Sequence, residues 1–129
     1  MRIGKCFTPA ALIVGLAGAL TVIHAAEFDE SRRVVIAAMR RVFRGPDALI
    51  EKAAAGEANA TEKQKLLKVL TGMAAVPAAH GDAASWKAKT EALVAAAQDL
   101  VDGKEGARDR LRAASACKAC HLAHRGKDE

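Results

Sequence analysis

A chain of 129 residues with 51% hydrophobic side chains is long enough for one globular domain. Its 20 basic and 15 acidic residues give a net charge of +5, too little and too evenly spread for a nucleic-acid-binding surface. Aromatic residues make up only 3% and tyrosine is absent, which excludes a core built on aromatic packing.

The first element is a leader. MRIGK carries two positive charges, residues 10–23 (AALIVGLAGALTVI) carry none, and small residues at Ala25 and Ala26 precede the first acid. This pattern predicts a signal peptide over 1–25, cleaved after Ala25 or Ala26, leaving 26–129 as the domain. The apolar run is shorter than the roughly 20 residues a membrane-spanning helix needs, so cleavage is expected rather than an anchor, with no stable membrane insertion afterwards. Loss of Arg2 and Lys5 takes the basic residues from 20 to 18 against 15 acids, a net charge of +3. Cys6 leaves as well, and its place before the apolar run does not suit a lipid anchor. The two remaining cysteines both lie in CKACH, residues 117–121, so no distant pair exists for a structural disulfide.

The mature chain shows helical periodicity in four blocks and no strand-like alternation. The first covers 29–44, with Val35, Met39 and Val42 on one face and Ile36 and Phe43 alongside. Gly45-Pro46 breaks it, and 47–55 resumes as helix up to Gly56. The second starts at Thr61-Glu62-Lys63-Gln64, which fits a capping box, and carries Leu66, Leu67, Leu70 and Met73 before Pro77. The third starts near Asp82 or Ser85 and ends at Asp102-Gly103, with Trp86, Leu93, Ala97 and Leu100 inward. The fourth is expected as one helix over 105–125. Short connections favour an all-α, antiparallel up-down four-helix bundle.

CKACH admits several chemistries. A zinc site needs about four ligands, and beyond CKACH only His80 and His124 remain. A dithiol redox motif belongs at a helix start after a strand, and no strand is expected here. Covalent haem attachment is the reading that C-x-x-C-H signals. Two cysteines three apart can reach the two vinyl groups on one porphyrin edge. His121, four residues after Cys117, shares its helix face and can reach the iron as proximal ligand. Export suits this attachment, and a large apolar ring would fill an aromatic-poor, alanine-lined core.

CxxCH on the last helix of a four-helix chain resembles the class II c-type cytochromes, the cytochrome c′ family. CKACHLAHR is similar to that family's C-terminal ending, LLKVLTGMAAVP to its second helix closing on proline, and SWKAKTEAL to the start of its third. The resemblance covers essentially the whole mature chain. It implies one covalently bound haem c near the C-terminal helix, held by Cys117 and Cys120, with His121 as proximal iron ligand. It also implies a first helix that crosses the other haem face. Counting back from Pro77 puts Met39 close to the family's distal position. A methionine there marks the low-spin, His/Met-ligated branch suited to electron transfer, whereas an apolar blocker marks the high-spin branch that binds small gases such as NO or CO. Core filling remains the competing role of Met39, and Met73 is expected in the core.

Arg125 matches the family's arginine after CxxCH and is expected to support the haem from the same face. The chain departs from the pattern at Val35, where the family has an arginine, and at His124, where it has an aromatic residue. His124 is expected to be a solvated histidine and His80 a surface one. The segment between Pro77 and Trp86 is also shorter than usual. Lys118 and Ala119 are expected to be exposed. Together these features imply an exported, periplasmic electron carrier and no enzyme. It would pass single electrons between redox partner proteins, as a monomer or a homodimer, without nucleic acid.

Overall fold

The structure, a computed structural model, describes residues 16–126, with side chains from residue 26 onward. The charged start of the leader, Cys6 and residues 10–15 of the apolar run lie outside the described residues. The described residues are all-helical, with no strand among them: α1 (Leu16–Ala38), a π-helical turn (Met39–Phe43), α2 (Leu49–Ala55), α3 (Ala60–Ala74), α4 (Ala83–Val101), α5 (Ala107–Ala114) and α6 (Cys117–His124). Among them no helix is long and apolar enough to cross a membrane.

Local chemistry sets most boundaries. The first block leaves α-helical geometry at Met39, and the π turn ends at Arg44, just before Gly45-Pro46. Gly56 takes the left-handed conformation (φ 85°) that closes α2, and its N–H donates to the Ala53 carbonyl at 3.1 Å. The α3 capping box lies two residues earlier than Thr61-Gln64. Asn59 Oδ1 accepts from the Glu62 N–H at 2.9 Å, and Glu62 Oε2 accepts from the Asn59 N–H at 2.8 Å. Both N-x-x-E and T-x-x-Q satisfy the pattern, and the longer helix wins by adding two residues behind a good capping residue. Asp82 caps α4 by accepting from the Ser85 N–H at 2.7 Å.

The fourth block is two helices, not one. Ser115 ends α5 with its N–H on the Leu111 carbonyl at 2.9 Å, and Ala116 (ψ 104°) turns the chain before Cys117. The Ser115 hydroxyl bonds back to the Arg112 carbonyl at 3.3 Å, a local partner that competes with helix continuation. Packing supplies the rest of the reason. Leu111 is fully buried and holds α5 on the core, whereas α6 has no buried residue.

The core lies between α3 and α4, which make the most extensive helix contact. Leu66, Leu70 and Met73 recur at i, i+4, i+7 on α3; Trp86, Thr90, Leu93, Ala97 and Leu100 recur likewise on α4, and all are buried. Alanines let the helices approach: Ala53, Ala96, Ala97 and Ala107 are at most 3% exposed. Among the described residues each buried polar side chain is satisfied. Thr90 Oγ1 donates to the Trp86 carbonyl at 2.9 Å, and Ser31 Oγ to Glu27 at 2.9 Å. α5 is pinned to α2 by its arginines: Arg112 Nη2 donates to the Ala54 carbonyl at 2.7 Å and Arg108 Nη1 to Ala55 at 3.3 Å. Cations there also oppose the negative helix end.

Candidate cofactor site

A cavity of about 370 Å³ opens between α1 with its π turn on one side and the α5–α6 junction on the other. That volume falls in the range of about 300–1,000 Å³ typical of ligand and cofactor pockets. Val35, Ile36, Met39 and Phe43 make one wall, and Met73, Trp86 and Leu93 reach it from α3 and α4. The remaining wall is the C-terminal motif itself: Cys117, Cys120 and His121 all line the cavity. Arg32, Arg40, Arg44 and Arg125 stand around it and give an apolar pocket a cationic border suited to carboxylates.

The local folding places these groups. Starting α6 at Cys117 puts Cys117 and His121 one turn apart on the same face, with Cys120 beside them. Cys117 and His121 are exposed, Cys120 is half-buried, and both thiols are free. Burial pushes the Cys120 thiol above its ordinary value, an effect opposed by Lys89 and reinforced by Cys117. A catalytic dithiol needs the opposite shift, towards thiolate. Among the described residues no three His, Cys, Asp or Glu side chains group as metal ligands, so the set a tetrahedral zinc requires is not assembled.

On the facing wall Met39 is the first residue of the π turn and is half-buried. Single π turns inside α-helices occur frequently at functional sites. Met73 is 2% exposed and belongs to the core while touching the cavity. Arg125 is exposed on the cavity border, and Lys118 and Ala119 point to solvent.

Two histidines differ from expectation. His124 is not a solvated side chain. Its Nδ1 lies 2.8 Å from the His80 carbonyl oxygen, its Nε2 lies 3.1 Å from Ser85 Oγ, and its ring meets Trp86 edge-on at 5.4 Å. His80 is half-buried rather than a surface residue, with its ring edge-to-face against Phe28 at 5.4 Å. Sequence reasoning missed the π turn and the His124 contacts. The Asp82-x-x-Ser85 helix start was the available signal for the latter, since capping by Asp82 is what aims Ser85.

No protein-family model, curated protein or solved structure matches the chain. The chemistry of the site therefore rests on its own residues.

Proposed function

We propose that this chain is an exported mono-haem c-type cytochrome of the cytochrome c′ class. It carries single electrons between redox partner proteins and catalyses no reaction of its own. The observation that carries the reading is the convergence of Met39 with CKACH on one apolar-walled cavity. One imidazole and one thioether are too few donors for an ion held by protein alone. They suit an iron whose remaining ligands belong to a porphyrin, with two thiols nearby to fix that porphyrin covalently.

Cys117 and Cys120 would hold haem c through thioethers, with His121 as proximal and Met39 as distal iron ligand and Arg125 in support at the border. When bound, haem supplies a one-electron iron couple. The chain's part would be to tune it: an imidazole from His121 and a thioether from Met39 would raise the potential, and the apolar walls would keep water away. The architecture we infer is an antiparallel up-down four-helix bundle whose arms are α1 with its π turn, α3, α4, and α5 with α6. Contacts of α1 with α3, α3 with α4, and α4 with α5 support that order. The short apolar leader supports export to the periplasm.

Absorbance spectra of oxidised and reduced protein, with and without carbon monoxide, test the reading. A sharp low-spin reduced spectrum unmoved by carbon monoxide is expected, and Met39→Ala should convert it to a high-spin, carbon-monoxide-sensitive one. A second reading, a haem protein that binds small gases at an open distal face, is favoured by the partial exposure of Met39 on the cavity wall. A wild-type spectrum already high-spin and shifted by carbon monoxide would replace the first reading with the second.

A further inference from the structure

α6 carries the chemistry of the site yet buries none of its residues, so something outside ordinary core packing must hold it in place. One residue of α6 makes side-chain hydrogen bonds that can do so. His124, at the end of α6, faces a carbonyl that can only accept, so its Nδ1 bears the proton given to His80 at 2.8 Å. Nε2 then accepts from the Ser85 hydroxyl at 3.1 Å, and the ring packs edge-on against Trp86 at 5.4 Å. All three partners belong to the 80–82 turn or to the first turn of α4.

The backbone is shaped around this contact. A Cβ on Gly81, already at φ +82°, would lie 2.2 Å from the Ala123 carbonyl oxygen and 2.9 Å from His124 Nδ1. On the other side, a Cβ on Gly126 would lie 2.9 Å from His80 Nε2. Glycine at these two positions lets the chain on either side of the histidine close to contact distance.

We infer that His124 is a positioning residue that docks α6 onto the 80–82 turn and α4, and thereby fixes how CKACH faces the cavity. The functional half of this inference rests on the haem reading; the docking half does not.

The test uses the full purified chain and two readouts, amide hydrogen exchange along α6 and the iron spectrum with the reduction potential. His124→Phe keeps a ring against Trp86 but removes both hydrogen bonds. It should speed exchange of the α6 amides about tenfold, the worth of one to two net hydrogen bonds. Exchange in α3 should stay unchanged, while the low-spin fraction falls and the potential shifts. His124→Asn, which can still donate to the His80 carbonyl, should recover part of each effect. Gly81→Ala breaks the same dock from the turn side, by crowding the Ala123 carbonyl and the His124 ring, and should reproduce His124→Phe with the histidine itself retained.

Unchanged α6 exchange in both His124→Phe and Gly81→Ala overturns the docking. Faster exchange with an unmoved spectrum and potential overturns the positioning role. A wild-type protein without haem removes the proposed function, and the exchange readout alone then decides whether His124 docks α6.

Discussion

Between α3 and α4 the chain packs on itself. Leu66, Leu70 and Leu93 are at most 2% exposed, and the buried polar side chains find partners within their own helix. Around CKACH the same chain does the opposite, lining a cavity with half-buried Val35, Ile36, Met39 and Phe43 and closing it with a helix that has no fully buried residue. The first region is specified by periodic side chains and is complete in itself. The second is specified by a few placed groups: two thiols, an imidazole, a thioether and the His124 dock. Substitutions should therefore divide by region, one class acting on stability and the other on the proposed haem.

The largest effect is expected from replacing both thiols. Cys117→Ser with Cys120→Ser should abolish covalently attached haem, read as loss of the haem mass and of pigment on a denaturing gel. Covalent pigment persisting in that variant breaks the division at its centre. Core truncation comes next. Leu70→Ala should cost about 2–5 kcal/mol in urea unfolding while the spectrum of the folded protein stays unchanged. Ile36→Ala, on the cavity wall, should cost about 1 kcal/mol, because a half-buried side chain loses less transfer energy and leaves no closed void. Equal costs at the two positions would mean that the wall is as tightly packed as the core.

A smaller effect is expected at the α3 cap. Asn59→Ala should cost about 1 kcal/mol by chemical denaturation, with no effect on the iron spectrum. The smallest concerns pH. The Glu62 carboxyl is held below its ordinary value near 4.5, first by the Lys52 ammonium at 2.6 Å and then by the Asn59 N–H. A depressed carboxyl pKa adds stability that is fully present above that ordinary value and lost as pH falls through the folded one. The urea midpoint should hold from neutral pH down to about 4.5 and decline below it, and Glu62→Gln should flatten that decline. Added salt should shrink the difference, since the pair is partly exposed. An identical acid limb in Glu62→Gln would show that other carboxylates control it.

The self-packed region was the more legible of the two. Leu66, Leu70 and Met73, and Trp86, Leu93 and Leu100, announce their shared face because a 3.6-residue period leaves one solution. Gly45-Pro46, Gly56 and Asp82 mark ends through backbone chemistry that acts within a few residues. At the site, CKACH is visible as a motif and Met39 stands on the inner stripe of the first block. The π turn and the break at Ser115-Ala116 carry no comparable mark, because no proline or glycine stands at either and tertiary packing decides them. The α3 cap was misplaced because two overlapping patterns were equally good in sequence. His124 was misjudged because its partners, His80 and Ser85, are distant along the chain, and only the folded 80–82 turn brings them to it.

Trp86 is the chain's single tryptophan. Its indole N–H is fixed on the Val76 carbonyl at 3.0 Å, its ring touches His124, and its flank forms part of the cavity. The protein therefore contains a native fluorophore at the point where the core meets α6. Its emission should redden when α6 leaves, and a strongly absorbing group seated in the cavity should quench it by energy transfer. Docking of the C-terminal helix and loading of the site could thus be followed separately in the unlabelled protein, one by emission colour and the other by intensity.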